Sequence, residues 1–396
     1  VLFLGPSGQL GGAERVLLDC IRVGDGWPDA EVSVVTLGSG PFVSAAGALG
    51  ARTRVIEPPA ALNVVGDAFG SPRTVVPSLL PALGSFPRFF RRFSRAVAGL
   101  VPQVIHSHGI KTHVLGALLP RRAPIVWHLH EYLAVRPVSS RLLRLLARRC
   151  ALAIAVSESV AEDARRLLPS GLPLVVVHNS VDGERFHPDG PALDLDALSQ
   201  LPPAPPGTIR VGLPATFARW KGHQVFLRAI AQLKRSDIRA YVIGGPVYQT
   251  TDSQWSDREL RELVAQLGLQ ELVGFTGFVE DMPGAYRALD VVVHASTRPE
   301  PFGLVIAEAM ACGRAVIAAP AGGAGELFVH QEHALAAQAG DPAALAETLR
   351  LLIDDREART ALGARARAHV VERFGRDRFA SNLRAALSGF TTEAAP

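Results

Sequence analysis

Lysine is nearly missing from this chain of 396 residues: Lys111, Lys221 and Lys234 are its only three, and arginine supplies the rest of the 41 basic residues. No lysine follows Gly5, Gly8, Gly11 and Gly12 in phosphate-loop spacing, and these glycines also miss the G-x-G-x-x-G pattern, so nucleotide hydrolysis and dinucleotide binding are poor readings of the start. Cysteine is equally scarce. Cys20, Cys150 and Cys312 are far apart and odd in number, with no CxxC pair. That speaks against a disulfide framework or structural zinc and for a reducing cytoplasm. No apolar run reaches membrane-spanning length, and no basic region precedes the apolar VLFL start, so a secretory signal is not expected there. The net charge of +4 and pI near 9.2 suit anionic partners. Nucleic acid is not expected among them, since zinc-finger and RNA-binding signatures are lacking.

What the chain does have is 48% hydrophobic residues, ample for more than one core. Short β-branched runs alternate with amphipathic helical stretches. VLFL (1–4), EVSVVTL (31–37), VIHSH (104–108), PIVWHLH (124–130), LAIAVS (152–157) and LVVVHN (174–179) read as strands. After the proline-rich stretch 187–208 the rhythm resumes with IRVGLPAT (209–216), AYVIGG (240–245), LVGFTGF (272–278), VVVHAS (291–296) and AVIAAP (315–320). Such βαβ alternation predicts buried parallel sheets. We expect a first domain over 1–186, a linker over 187–208, a second domain over 209–375, and a helix and tail over 376–396 that packs back on the first domain. Open parallel sheets bind ligands at the carboxyl ends of their strands, which makes the cleft between the domains the expected site.

The most informative stretch is RPEPFGLVIAEAMACG (298–313). It follows the strand VVVHAS, reads as a turn into a helix at Gly303, and stops at Gly313. A helix start just after a parallel strand suits a phosphate group. Glu300 in the turn and Glu308 in the helix can accept hydrogen bonds from sugar or ribose hydroxyls. On spacing alone, solvent-exposed carboxylates explain both equally well.

Glu-Pro-Phe-Gly, a second glutamate eight residues after the first, and then Ala-Met-Ala-Cys-Gly resemble the signature of the retaining glycosyltransferases of family four. GGAER (11–15), HSHG (106–109), HNSVD (178–182), WKG (220–222), FTGF (275–278) and AGGAGE (321–326) stand in the order that family shows. The resemblance covers nearly the whole chain. It implies an α/β fold of the GT-B type, two Rossmann-like doubly wound domains facing across a cleft. The implied activity is transfer of a sugar from a nucleotide-diphosphate sugar, UDP-sugar first and GDP-sugar second, to a hydroxyl of a glycan, lipid or small-molecule acceptor, with no tightly bound cofactor and no metal. The alternatives are a GT-B protein that binds a sugar nucleotide without turnover, and a GT-B sugar-nucleotide epimerase.

The resemblance also distributes roles. Lys221 binds the donor diphosphate, which is why a lysine stands in this lysine-poor chain. Glu300 contacts the donor sugar, with the backbone of Phe302, Gly303 and Leu304 nearby, and Glu308 contacts the ribose. Val279 marks backbone contacts to the base. His130 is the active-site histidine beside the sugar, with His128 two residues away as the alternative register. Gly11 and Gly12 let backbone approach a phosphate or acceptor. Thr216 stands where the family carries an arginine, and Arg219 is the candidate replacement. Acceptor contacts are expected from residues 60–95 and 132–140.

Two features invite other readings. Asp194-Leu195-Asp196 mimics a metal-binding DxD but lies in the proline-rich segment, and we read it as polar linker. Phe86, Phe89, Phe90 and Phe93 recur at helical spacing opposite Arg88, Arg91, Arg92 and Arg95. The phenylalanines either pack on the core, the favoured reading, or enter the inner face of an anionic membrane.

Overall fold

A computed structural model describes residues 1–25, 31–59, 72–246 and 253–391. Of the segment 60–95 expected to contact the acceptor, residues 60–71 lie outside these, and the remainder falls in the helix Pro72–Ala98. The chain divides into two compact units: Val1–Ser180 with Asp377–Pro396, and Val181–Arg376.

Unit 1 is built on a parallel sheet of seven strands: β1 (Leu2–Gly5), β2 (Ser33–Thr36), β3 (Arg52–Val55), β4 (Ile105–His108), β5 (Ile125–Leu129), β6 (Leu152–Ala155) and β7 (Leu174–Val176). Their order is β3-β2-β1-β4-β5-β6-β7. β1, β2, β4, β5 and β6 are buried along their whole length, as strands covered by helices on both faces must be. β3 was not among the expected strands. Its Arg52, Thr53 and Arg54 are exposed, because an edge strand can carry charge that an interior strand cannot.

Unit 2 repeats the plan with six strands: β8 (Ile209–Pro214), β9 (Ile238–Ile243), β10 (Val273–Gly277), β11 (Val291–His294), β12 (Ala315–Ala318) and β13 (Leu335–Ala336). Their order is β10-β9-β8-β11-β12-β13. Val211, Leu213, Phe226, Val242, Val293 and Leu349 are among the residues of its core. In each sheet the order reverses once, between β1 and β4 and between β8 and β11. Loops leave such a switch point in opposite directions and open a crevice at the carboxyl ends of the strands.

The proline-rich segment 187–208 belongs to unit 2 and is not the solvated connector its composition suggests. The helix Leu195–Leu198 is capped by Asp194, whose carboxylate accepts from the Ala197 amide at 3.0 Å. Asp196 is buried and accepts from Tyr241 at 2.7 Å, Arg210 at 2.9 Å and Arg239 at 3.1 Å. The second aspartate of the DxD-like triplet therefore ties the segment to the amino ends of β8 and β9. A buried carboxylate persists because its partners satisfy its charge.

Candidate functional site

The loops after β8 and β11 meet. Gly222 adopts a left-handed conformation (φ 80°), and a Cβ there would lie 1.8 Å from the Ala295 carbonyl oxygen. Only glycine lets the WKG turn press on the end of β11. The Thr297 amide then donates to the Trp220 carbonyl at 2.7 Å and fixes the turn. Lys221 projects from it and donates to both oxygens of Glu300, at 2.9 and 2.7 Å, with its ammonium 4.1 Å from the Trp220 ring centre.

Glu300 is held from two further sides. The Ser296 hydroxyl donates to its carboxylate at 3.0 Å, and His294 Nε2 lies 3.2 Å from the same oxygen. Its amide donates to the Ala321 carbonyl at 3.0 Å, and its carbonyl accepts from the Gly323 amide at 2.8 Å. The AGGAGE stretch thus holds the backbone of Glu300. Burial alone would raise the Glu300 pKa, but the Lys221 charge and the His294 hydrogen bond outweigh it and hold the carboxyl well below the usual range. His294 and Ser296 were missed in the sequence. The signal was there: they stand two apart at the end of VVVHAS, on the side of the strand that faces the Glu300 turn.

The helix Leu304–Ala311 starts at Gly303, which is left-handed (φ 101°). Its first amides have no acceptor within the helix. Phe302 is buried, edge-on to Phe374 at 5.8 Å, so its side chain is core and only its backbone can serve a ligand. Leu304 is half-buried. Glu308 accepts from the Tyr286 hydroxyl at 2.8 Å, which orients the carboxylate. Val279 follows β10 and is half-buried next to the exposed Phe278. Thr216 follows β8 and is half-buried. Arg219, the candidate to replace the charge missing at Thr216, is engaged elsewhere. It donates to Glu259 at 2.8 Å and its guanidinium lies 4.0 Å from the Trp255 ring centre.

Gly11, Gly12 and His130 belong to unit 1. The two glycines are exposed at the start of the helix Gly12–Asp25. The Gly11 amide donates to Glu14 Oε2 at 3.2 Å, and the Ser7 hydroxyl donates to Glu14 Oε1 at 2.9 Å, so a carboxylate of the chain's own occupies the amide. His130 lies one residue past β5. Its Nε2 is 2.8 Å from His108 Nδ1, and its ring stacks on His128 at 4.5 Å. Burial lowers its pKa to about 3, so it is a neutral imidazole that offers a hydrogen bond rather than a charge. His128 is fully buried, whereas His130 is half-buried and is the one of the two with an open edge.

The Phe/Arg face lies in the helix Pro72–Ala98. Phe89 and Phe93 are buried and stacked at 6.2 Å, while Arg88, Arg91, Arg92 and Arg95 are exposed. These two aromatics are spent on the core of unit 1, not held out for a membrane. Among the described residues no helix is long and apolar enough to cross one.

Comparison with known proteins bears on the family and the fold. The model for Glycosyltransferase Family 4 matches residues 10–185, and that for Glycosyl transferases group 1 matches 202–369. A D-inositol 3-phosphate glycosyltransferase of Catenulispora acidiphila is 31% identical over 340 residues, 77% of this chain and 78% of the relative. The lipopolysaccharide core biosynthesis mannosyltransferase LpcC of Rhizobium leguminosarum is 34% identical over 54% of this chain and 58% of its own length. Among solved structures, HepE of Anabaena in complex with UDP and glucose has a TM-score of 0.82 at 28% identity, covering 98% of each chain. The expected fold, two Rossmann-like α/β domains of the GT-B class, stands.

Proposed function

This chain belongs to the group 1 glycosyl transferases of family four, and from that premise we propose that it moves a sugar from a nucleotide-diphosphate sugar to an acceptor hydroxyl with retention of configuration. The observation that carries the reading is the meeting of Lys221 and Glu300 at the switch point of the second sheet, beside the start of the helix Leu304–Ala311. The donor diphosphate takes Lys221 from Glu300, since an ammonium is a compact charge suited to phosphate oxygens. The helix start adds its amides and its dipole. Glu300, relieved of Lys221, accepts hydrogen bonds from sugar hydroxyls. Glu308, oriented by Tyr286, takes the ribose, and the backbone at Val279 faces the base. His130 makes a neutral hydrogen bond to the sugar.

The bond from the sugar to the leaving diphosphate breaks as the acceptor oxygen attacks the same face. The acceptor proton passes to the departing phosphate oxygen. The charge that develops on that phosphate falls to Lys221 and the helix start rather than to a metal ion. UDP is the favoured nucleotide, which the Anabaena neighbour's complexes with UDP and UDP-glucose support; GDP is second.

For the acceptor, unit 1 offers a cavity of about 600 Å³ lined by Ser39, Arg54, Glu57, Arg92 and Arg95. Three guanidinium groups against one carboxylate favour an anionic, phosphorylated acceptor. The name of the Catenulispora relative agrees with that class.

Thermal-shift titration with UDP-, GDP-, ADP- and TDP-sugars tests the donor half. A ligand at 100 times its Kd stabilises by about 2.7 kcal/mol, and Lys221→Ala and Glu308→Ala should abolish the shift. A parent that responds to no nucleotide sinks the donor reading. The anomeric configuration of the product, read by NMR, tests retention, and turnover without added divalent cation tests independence from a donor-site metal.

A further inference from the structure

Four histidines line one face of the first sheet. His106 and His108 are two apart on β4, and His128 and His130 are two apart at the end of β5, so strand alternation turns each pair to one side. Their rings stack: His106 on His128 at 5.2 Å and 5° between planes, and His108 on His130 at 5.0 Å. His106, His108 and His128 are fully buried. Both ring nitrogens of His106, Nε2 of His108 and Nε2 of His128 meet no protein partner. Buried polar atoms without partners are costly and call for an explanation.

The helix Gly12–Asp25 places Cys20, also fully buried, against this stack. Its Sγ lies 3.9 Å from His128 Nδ1. One ligand atom each from Cys20, His108 and His128 lies within 4.8 Å of the others, the one such group among the described residues. We propose that Cys20, His108 and His128 hold a zinc-class metal ion inside unit 1.

A thiolate with two imidazoles is a ligand set suited to zinc. Zinc bonds of about 2.0–2.3 Å set sulfur and nitrogen ligands roughly 3.6 Å apart in a tetrahedral site. The Cys20–His128 pair at 3.9 Å has a few tenths of an ångström to close, and the group as a whole, spread over as much as 4.8 Å, has to contract by about 1 Å around the ion. His108 Nδ1 faces His130 at 2.8 Å, which leaves Nε2 for the ion. The His108 proton then sits on Nδ1 and is donated to His130 Nε2, fixing the orientation and tautomer of the residue that the proposed reaction uses. Binding replaces the Cys20 thiol proton, which goes to solvent. The three ligands come from three separate elements, so no CxxC-like spacing announces them.

The test uses untagged protein expressed in cobalt-supplemented medium, with metal content measured by elemental mass spectrometry and the visible spectrum recorded. The expected result is about one Co²⁺ per chain with a thiolate charge-transfer band. Cys20→Ala and His128→Gln should each lower the metal content about ten-fold or more at unchanged far-UV circular dichroism. Parent protein without cobalt, or with as much as both variants, overturns the site. If a variant fails to fold, the parent spectrum decides: cobalt on surface histidines has no thiolate band, and absence of that band also overturns the site.

Discussion

Lys221 and Glu300 stand 79 positions apart, yet the lysine donates to both oxygens of the glutamate. They meet because β8 and β11 are neighbours at the point where the strand order reverses. Their side chains are 19% and 13% exposed. The pair is sheltered enough to be strong and open enough for a polyanion to reach the lysine. A cation held in this way is already in position when a diphosphate arrives, and the carboxylate it leaves behind is already ionised.

Lys221→Ala should lower stability by about 2 kcal/mol, because it strands a sheltered carboxylate with only Ser296 and His294 beside it. Lys221→Ala with Glu300→Gln should recover most of that loss, since the stranded charge is gone. Thermal unfolding of the parent, the two single variants and the double variant measures the coupling. Additive effects would mean that the pair is not the unit described here.

Gly222→Ala should be worse than Lys221→Ala for stability and equally bad for donor binding. The new Cβ would overlap the Ala295 carbonyl, and φ at 80° is strained for any L side chain. A loss above about 2 kcal/mol is expected. An alanine variant with parental unfolding midpoint and parental donor response would show that the turn need not press on β11.

Asp196→Ala should cost about 3 kcal/mol. It removes the carboxylate shared by Arg210, Arg239 and Tyr241 and leaves the nearly buried Arg239 guanidinium without its counter-charge. The network sits at the amino ends of β8 and β9, whereas the donor loops follow the carboxyl ends. Donor affinity, measured by calorimetry below the unfolding transition, should therefore be unchanged. A fall in affinity would connect this segment to the donor site.

All eleven strands expected from the β-branched runs are present, most of them written in the apolar residues that a strand covered on both faces requires, although the buried β4 carries His-Ser-His and the edge strand β7 is partly exposed. β3 and β13 were not expected: Arg-Thr-Arg at a sheet edge reads as loop, and Leu335–Ala336 is too short to show a pattern. The motif singles out Lys221, Glu300 and Glu308 as candidates, but not their partners. Nothing in the spacing says that Tyr286 will reach Glu308, that His294 and Ser296 will hold Glu300, or that Arg219 will be taken by Glu259. Such contacts depend on which loops the topology brings together. Asp196 was misread because proline-rich composition reports the backbone's irregularity and not its burial.

His223 supplies a pH test. It opens the helix His223–Leu233, is fully buried beside Phe217 at 5.4 Å, and has no protein partner at either ring nitrogen. Burial first, and then the nearby Lys221 charge, lowers its pKa from 6.5 to about 4. A helix start also disfavours a cation. Below pH 6.5 the unfolded chain takes up a proton that the native state refuses. The contribution of His223 is thus complete above that pH and is lost as the pH falls toward its folded value, at about 1.4 kcal/mol per unit and about 3 kcal/mol in all. His223→Leu should remove this component. Unfolding midpoints of parent and variant, followed from pH 7.5 to 4, should diverge, with the parent falling more steeply. Glu300 acts in the same direction but at lower pH, because its carboxyl is depressed from 4.5 and begins to cost stability only as the unfolded chain's carboxyls protonate. Parallel curves between pH 6.5 and 5 would mean that His223 is protonated in the folded chain and that its surroundings are more open than this burial implies.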